Sequence, residues 1–557
     1  MTAVIDFIKA QSEKAFDRGA LPSLWQEIAE HFYPERADFV ASRYLGTDFA
    51  ANLMTSFPLV VRRDFCNLFS TMLRPTQKDW AHIRSSRPDK ENTEAKQFLE
   101  RLTKFLKNAM YDRRAQFARA TKETDHDFGT FGQGVIQSEL YRPADGSVPH
   151  LLHRNWHLRD VAWFEDETGK IATIHRKWES GCALDVLKKF PGTIHERMKD
   201  KAEKDPFAKV KCQHIILPFE VYDSLDGAKK LRKGLPYVSI YLDTENDKIL
   251  EEVGQKVNGY TIPRFSTVSG SQYAHSPFTV ASLPDGRLIQ AIARVLLEAG
   301  EKATNPPLIA VEEAIRSDVG MFAGGITWVD ADYDERLGEV LRPISQDTKG
   351  MQYGLELLRD IREQMKDAAY LNKLNLPPQT KEMTAYEVAQ RVQEYIRNVL
   401  PLFEPVEEDY NGQVCETDLQ LLINAEPTIF RDLEMPDSLA GTDWRFTFES
   451  PLRDAVEKVK VGQFMEAGQI IAQAQALDPS AAFIVNGKAA VRETMEAVVP
   501  ASWLNSEDVV DKSVRNAQAQ AQQEKLLEML GKGATVAKDA AAAGLDASET
   551  MATMGPA

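Results

Sequence analysis

The stretches GRLIQAIARVLLEAGEKA (residues 286–303) and GLELLRDIREQMKDAAY (residues 354–370) decide how this fold is organised. In both, apolar side chains recur at the spacing of three and four residues that is typical of an amphipathic helix. The apolar positions are Leu288, Ile292, Val295 and Leu296 in the first stretch and Leu358, Ile361, Met365 and Ala369 in the second. Each predicted helix of about 17 residues spans roughly 25 Å.

A short, glycine-marked segment separates the two helices. It reads NPPLIAVEEAIRSDVGMFAGGITWVDADYDE (residues 305–335) and has no sustained helical period. The sequence therefore predicts two similar helices that flank one small module.

A loop with two prolines follows the second helix, in NLPPQTKEMTAYEVAQRVQEY (residues 375–395). Thr384 and Glu387 form the S/T-x-x-E pattern of a capping box, in which each side chain accepts a hydrogen bond from a free backbone N–H of the other residue. An apolar stripe begins at Val388, so we expect a long helix to start here. Pro401 and Pro405 are expected to kink or interrupt it.

The region before the first helix is predicted to be mixed. Helical spacing predicts helices near 2–16, 24–32, 59–73 and 93–124, together with a helical insert at 183–190 and 195–202. Alternating, β-branched and aromatic stretches predict an antiparallel sheet built from 136–142, 150–180, 210–222 and 235–265. Three glycines in GTFGQG (129–134) are expected to turn the chain from helix into strand.

The region after the long helix is predicted to be mainly helical. Apolar spacing resumes at 414–423, WRFTF (444–448) reads as one short strand, and helices are expected at 452–476 and 488–498. The last fifty residues are rich in alanine with glutamine and then glycine, so the end of the chain is expected to bury little surface.

Composition limits the class of protein. The 557 residues, at about 150 per domain, correspond to three or four units. Hydrophobic content of 43% and charged content of 27% are ordinary for a chain with a packed core. The net charge of −16 argues against a protein that coats nucleic acid, which needs a basic face. No stretch of 18 apolar residues occurs, so we expect no membrane contact.

Motifs that carry chemistry are weak. His150, His153 and His157 are close in sequence, but on a strand residues three apart point to opposite faces, so ordinary sheet histidines are favoured over a metal site. DADYDE (330–335) lacks the glycine and glutamate that a calcium loop needs. The four cysteines form no CxxC pair, and no nucleotide-binding loop or nucleophile motif occurs. We therefore expect neither catalysis nor a metal or cofactor.

The order of these parts resembles that of the portal proteins, or head-to-tail connectors, of tailed bacteriophages, especially the short-tailed (podovirus) type. Local strings are also similar to that family over about residues 60–510. They are MLRPTQKDWAHIR (72–84), FGTFGQGVI (128–136), NGYTIPRF (258–265) leading through SQYAHSP (271–277) to NPPLIA (305–310), EMTAYEVAQRVQE (382–394) and SPLRDAVE (450–457). The chain departs from the family where Phe265 replaces the tryptophan of an Arg-Trp pair and where Tyr273–Pro277 replaces a glycine-rich turn.

The resemblance implies an α+β, mainly helical portal fold that assembles as a ring of twelve subunits around an axial channel. It also implies the following division of the chain: a wing at 1–285, the first stem helix at 286–303, a clip at 304–346, the second stem helix at 347–370, a channel loop at 371–383, a long kinked wing helix and return strand at 384–449, crown helices at 450–505, and a C-terminal barrel helix with a flexible tail at 506–557.

The resemblance further implies a structural protein of the virion, located at one capsid vertex and assembled in the host cytoplasm. Double-stranded DNA would enter and leave the head through the ring without being read. The implied partners are the other subunits of the ring, the major capsid protein and scaffold, the large subunit of the terminase motor, and later the tail adaptor proteins.

The resemblance also implies roles for individual residues of this chain. The expected DNA-channel residues are Asn372, Lys373, Asn375, Gln379 and Lys381, although the two lysines also read as ordinary loop charges. The stem residues expected to face the lumen or a neighbouring subunit are Arg287 and Arg294, and subunit pairing is preferred. The clip residues expected to meet the motor or adaptors, or otherwise to lie in solvent, are Glu312, Glu313, Arg316 and Asp318.

Two other classes remain open at this stage. A large soluble α+β enzyme, such as a hydrolase, is expected to be a small oligomer. Another virion structural protein, such as a minor capsid or tail protein, is expected to lack a helical stem around an axial hole.

Overall fold

The computed structural model describes most of the first 374 residues and parts of the remainder. The described ranges are 2–42, 46–75, 79–87, 92–143, 146–180, 183–310, 341–343, 349–374, 403–425, 435–439, 441–448, 467–471 and 512–517, together with one or two residues at a time elsewhere. The chain divides into a larger compact unit, formed from Met1–Ala81, Lys104–Asp432 and Phe448–Val456, and a smaller one, formed from His82–Thr103, Leu433–Thr447 and Glu457–Ala557.

Helices account for most of the regular structure within the described ranges. Their bounds are α1 Thr2–Phe16, α2 Leu21–Phe32, α3 Phe57–Leu73, α4 Thr93–Met110, α5 Phe117–Phe131, α6 Ala183–Lys189, α7 Glu196–Lys204, α8 Phe219–Asp223, α9 Pro277–Val280, α10 Ser282–Thr304, α11 Lys349–Ala368, α12 Leu371–Leu374 and α13 Gln413–Ala425. None of the helices in these ranges combines the length and the apolar character that a bilayer span requires.

The strands of the described ranges form four sheets, of two to five strands each. Their bounds are β1 Ala81–Ser85, β2 Ile136–Tyr141, β3 His150–Asn155, β4 Val161–Glu165, β5 Ile171–Ser180, β6 Val210–Pro218, β7 Tyr237–Asp243, β8 Lys248–Gln255, β9 Tyr260–Thr261, β10 Leu308–Ala310, β11 Leu341–Pro343 and β12 Trp444–Phe448. The largest sheet has the order β4-β5-β6-β7-β8, and a second has the order β3-β2-β9. All neighbours in these two sheets are antiparallel, as predicted.

Aromatic side chains build the core around α3 and α5 in the larger unit. Phe69 stacks on Phe403 with ring centroids 4.7 Å apart, and Phe128 lies 5.5 Å from Phe265. Gly129 lets the two helices approach closely, because a Cβ at this position would lie 2.6 Å from the sulfur of Cys66. The glycine is therefore required by packing between helices.

The five-stranded sheet is covered by two separate apolar clusters. One cluster joins α1, through Val4 and Ile8, to side chains of β6 and β7 such as Ile215 and Val238. The other joins the α6–α7 insert to the sheet at Val210. The predicted helical insert is thus confirmed, and it contributes to the core of the larger unit.

Two predicted elements are wrong in extent. The single helix expected over 93–124 is two helices, because Asp112 caps a short 3-10 turn and Gln116 takes a left-handed φ of 54°. The strand expected to reach residue 222 stops at Pro218, and α8 begins at Phe219. In both places apolar residues continue along the chain while the backbone conformation changes. The spacing of apolar residues does not report such a change.

The smaller unit contains the strand pair β1–β12 and the first part of α4. The hydroxyl of Thr447 donates to the carbonyl of His82 at 3.3 Å, and the backbone N–H of Ile83 donates to the hydroxyl of Thr103 at 3.0 Å. Phe98 packs on Trp444 with centroids 6.3 Å apart. The strand predicted at 444–448 is therefore confirmed.

Candidate functional site

The two amphipathic helices predicted at 286–303 and 354–370 pack against each other. The structure confirms both, with α10 starting four residues before the predicted helix and α11 starting at Lys349. A Cβ at Gly354 would lie 2.9 Å from Cδ2 of Leu296, so the glycine sets the close approach of α11 to α10. Beyond the helix ends, β10 pairs antiparallel with β11, with Ile309 opposite Arg342. The strand pair therefore holds the two ends of the segment between the helices side by side.

The first half of α10 is anchored in the larger unit. The Gln290 side chain accepts from the backbone N–H of Met54 at 2.7 Å and of Thr55 at 3.0 Å. A Cβ at Gly286 would lie 2.9 Å from the ring of Phe32. These contacts hold the helix at its start.

Arg287 forms an ion pair within the chain. Its Nε and one terminal nitrogen lie 2.6 Å and 2.7 Å from the two carboxylate oxygens of Glu27. The hydrogen bond from Arg287 lowers the pKa of Glu27. The role expected for Arg287 and Arg294 between subunits or at a lumen stays a prediction.

The remainder of α10 carries apolar side chains on an exposed surface. Val295 is 63% exposed and Leu297 is 56% exposed, and on α11 Tyr353 is 71% exposed. The predicted apolar face of α11 is buried at Leu358, Ile361, Met365 and Ala369. The helix pair is therefore buried where α10 begins and α11 ends. Its other half, the distal half, comprises the end of α10 and the start of α11 and exposes several apolar side chains.

The end of α11 turns sharply at Tyr370. This residue has a φ of 56°, which bulky side chains rarely adopt. The buried side chains of Met365 and Ala369 hold the last turn in place. The Lys373 ammonium lies 5.5 Å from the centroid of the Tyr370 ring, and the amide of Asn372 donates to Asp367. The first two predicted channel residues thus lie together on α12.

The other predicted site residues lie outside the described part of the chain. They are Asn375, Gln379, Lys381, Thr384 and Glu387 in and after the loop, and Glu312, Glu313, Arg316 and Asp318 in the segment between the helices. Their roles remain predictions. DADYDE (330–335) also lies outside the described residues. Of the helices expected at 452–476 and 488–498, the run 467–471 and a few single positions are described, and these are helical.

A buried ionic contact, which could not be seen in the sequence, holds α13 on the three-stranded sheet β3-β2-β9. Nε2 of His153 on β3 lies 2.8 Å from a carboxylate oxygen of Asp418 on α13. Its Nδ1 lies 3.0 Å from the carbonyl oxygen of Ala115. His157 contacts a different carboxylate, that of Asp38, at 2.7 Å. The histidines that look like a cluster in the sequence therefore have separate partners.

A second buried network surrounds Arg74. Its guanidinium donates to Asp125 and, at 2.7 Å, to the side-chain oxygen of Asn411. Asn411 lies in a π-helical turn, Glu407–Gly412, that joins α13 to the residues after Pro405. The helix thus continues through Pro405 and changes its hydrogen-bond pattern just beyond it. No local sequence signal connects Arg74 with a residue more than three hundred positions away.

Comparison with known proteins gives a consistent result. Residues 9–504 match the sequence model of a family described as bacteriophage head to tail connecting protein. The chain is 23% identical over 451 residues to the "Probable portal protein" of Bordetella phage BPP-1, covering 79% of this chain and 77% of that protein. It is 23% identical over 281 residues to the "Portal protein" of Salmonella phage epsilon15, covering 49% of this chain and 48% of that protein.

Proposed function

The chain belongs to the family of bacteriophage head to tail connecting proteins, and from this membership we propose that it is a portal protein. In this role it forms the conduit at one vertex of the capsid through which double-stranded DNA is packaged and later ejected. The role is structural and needs no catalytic step. The match over residues 9–504 and the names of the two relatives support it.

We propose a ring of twelve subunits in which α10 and α11 form the stem. The segment 304–346 then forms the clip, residues 371–383 form the channel loop, and residues 1–285 with 384–449 form the wing. Residues 450–505 form the crown, and 506–557 extend it.

The exposed apolar side chains in the distal half of the helix pair are the main structural support for the proposed ring. Val295 and Leu297 on α10 and Leu355 on α11 are each more than half exposed in the single chain. Large apolar side chains that are left exposed on a helix pair fit a surface that packs against another protein. A neighbouring subunit packed along the stem would remove them from water, at about 25 cal/mol for each Å² of apolar surface buried.

The charge of the chain fits a conduit. A net charge of −16 repels phosphate, so DNA is not held along the passage. Lys373 lies at the start of the proposed channel loop, where a few cations can contact the backbone of DNA without reading its sequence.

The proposed partners follow from this position. The clip docks the terminase motor during packaging and the tail adaptors afterwards, while the wing meets the major capsid protein and scaffold. The assembled ring is a component of the virion.

Imaging of the purified full-length chain tests the proposal. Negative-stain images and native mass measurement are expected to give a ring with an axial hole. The double variant Val295→Asp with Leu297→Asp is expected to remain folded by circular dichroism but to lose the ring, because two charges would be buried between subunits.

Val268→Asp is the matched control, since this valine is also exposed, at 55%, but belongs to the loop between β9 and α9 and not to the helix pair. The control is expected to form rings like the unchanged protein. Only monomers or dimers of the unchanged chain under every condition, with or without scaffold, would contradict the proposed function.

A further inference from the structure

Two stripes of opposite charge run along α11, on either side of its inner face. Leu358, Ile361 and Met365 of the inner face are buried, and Gly354 lies against Leu296 of α10. Successive residues of an α-helix lie about 100° apart around the axis, so residues three and four positions apart share one face. The charged side chains on the flanks of α11 follow this spacing.

One flank of α11 is basic and the other is acidic. The basic stripe has residues four, three and four positions apart, namely Leu355, Arg359, Arg362 and Lys366. The acidic stripe has residues three, four, three and four positions apart, namely Tyr353, Glu356, Asp360, Glu363 and Asp367. Each stripe begins with an exposed apolar side chain, since Leu355 is 52% exposed and Tyr353 is 71% exposed. The two flanks are therefore alike in their apolar ends and opposite in charge.

The charges towards the end of α11 have partners within the subunit. The guanidinium of Arg362 lies 5.3 Å from the centroid of the Phe57 ring. The ammonium of Lys366 donates to the carboxylate of Glu363 at 2.8 Å. This part of the helix needs no contact from outside the subunit.

The charges near the middle of α11 are different. Glu356, Arg359 and Asp360 are exposed, and none of them forms a hydrogen bond or ion pair with another residue in the described part of the chain. Glu356 and Asp360 are also four positions apart, where like charges destabilise a helix. A cation supplied from outside the subunit would offset this repulsion.

Two complementary flanks on one chain fit a head-to-tail contact between copies. In such a contact one patch of a subunit meets a different patch of the next, whereas in a two-fold dimer each patch meets its own copy. A two-fold contact would place like charges opposite each other. Arg359 and Asp360 also lie within about 1.5 Å of each other along the helix axis. Subunits related by rotation about an axis along the stem therefore bring Arg359 of one and Asp360 of the next to the same level.

We propose that Arg359 of each subunit pairs with Asp360 and Glu356 of its neighbour, and that Leu355 packs beside the neighbour's Tyr353. The second copy is favoured as the partner because the same helix supplies both charges, one on each flank. This inference rests on the proposed ring and deepens it by naming the two surfaces that meet.

Charge reversal with complementation tests the pairing. Arg359→Asp makes both flanks acidic at this level, and Asp360→Arg makes both basic. Each variant is expected to fold normally by circular dichroism, because both positions are exposed. In negative-stain images each is expected to lose ring yield by at least about tenfold, because like charges then meet at every interface.

Mixing the two variants distinguishes the pairing from general damage to the stem. An equimolar mixture is expected to restore rings, because acidic and basic subunits can then alternate. The exchange variant, Arg359→Asp with Asp360→Arg, is expected to form rings alone, because each interface again joins opposite charges.

Glu298→Arg is the matched control for Asp360→Arg, with the same change of charge at an exposed position of α10. Glu298 is two residues from Leu296 and so lies about 200° around the helix from the side that meets α11. It is expected to form rings like the unchanged protein.

Three results would overturn the pairing while the unchanged chain still forms rings. They are full ring yield in both single variants, no rescue in either the mixture or the exchange variant, and an equal loss of rings in Glu298→Arg. In each case the proposed portal ring stands. No rings from the unchanged chain under any condition would overturn the ring and the pairing together.

Discussion

His153 and Asp418 form a fully buried ion pair, with Nε2 of the imidazole 2.8 Å from the carboxylate. The other ring nitrogen of His153 lies 3.0 Å from a backbone carbonyl oxygen. Since both nitrogens face acceptors, the arrangement fits the doubly protonated ring. Burial lowers the pKa of His153, but the charge and hydrogen bond of Asp418 outweigh it, so the pKa lies above its ordinary value.

This pair predicts a specific dependence of stability on pH. A raised folded-state pKa stabilises the fold fully below the unfolded-state pKa of about 6.5, and that contribution is lost as pH rises through the folded-state value. His153→Gln is expected to destabilise the protein by about 3–5 kcal/mol at pH 6, and by less at pH 9. Urea denaturation of both proteins across this range measures the difference.

The double variant His153→Gln with Asp418→Asn provides the control. Because each single variant already removes the pair, the two losses are expected not to add. Two outcomes would show that the pair does not titrate in this way. One is that the losses of unfolding free energy in the two single variants add up in the double variant, and the other is that the loss in His153→Gln grows with pH.

Asn411 is expected to stabilise the π-helical turn through its two buried contacts. It accepts from Arg74 at 2.7 Å and donates to the carbonyl of Leu73 at 3.1 Å. Asn411→Ala leaves these groups unsatisfied and is expected to cost about 1–3 kcal/mol. Gln413→Ala, at an exposed position two residues on, is the comparison and should change the denaturation midpoint little. Similar losses in the two variants would contradict this role.

Gly132 is expected to tolerate no side chain. It has a φ of 84°, and a Cβ there would lie 2.6 Å from the carbonyl carbon of His275. Gly169 has a similar φ of 77° but open space around it. Gly169→Ala should therefore cost only the left-handed strain of about 1–2 kcal/mol, and Gly132→Ala clearly more. Equal thermal shifts in the two variants would show that the contact with His275 is unimportant.

The approach of α11 to α10 can be tested at two glycines of the same helix. Gly350→Leu meets open space, whereas Gly354→Leu meets the Leu296 side chain. We expect the first to be neutral or to stabilise by up to about 1 kcal/mol, because glycine is a poor helix former. The second should lower the thermal midpoint and reduce ring yield. A Gly354→Leu protein with unchanged stability and ring yield would be evidence against close packing of the stem.

The proposed channel loop predicts a defect in DNA handling without a defect in assembly. Lys373→Ala combined with Lys381→Ala is expected to leave the ring intact in negative-stain images. Packaging efficiency or retention of DNA in filled heads should change, because cations that contact the DNA backbone are lost. Lys302→Ala, at an exposed lysine in the last turn of α10, is the comparison for the loss of one lysine outside the loop. Unchanged packaging and retention in the double variant would count against the loop.

Much of the fold was predictable because amphipathic period and strand alternation report which side of an element is buried. The stretches around α1, α3, α10 and α11 each carry an apolar face, and each forms the predicted helix. The break between α4 and α5 was not predictable, since apolar residues continue across it while Gln116 turns the backbone. The candidate channel residues came from resemblance, and the channel role of each of them, Lys373 included, remains a prediction.

The order of helices, sheet and paired helices, and with it the family, could be inferred from the chain alone, because local periodicity and the order of motifs are properties of neighbouring residues. The buried contacts of His153 with Asp418 and of Ser239 with His214 depend on residues that meet only after folding. The first pair is separated by 265 positions. Burial where these residues meet sets their protonation states, and the fold brings their hydrogen-bonding partners together, which no local pattern encodes.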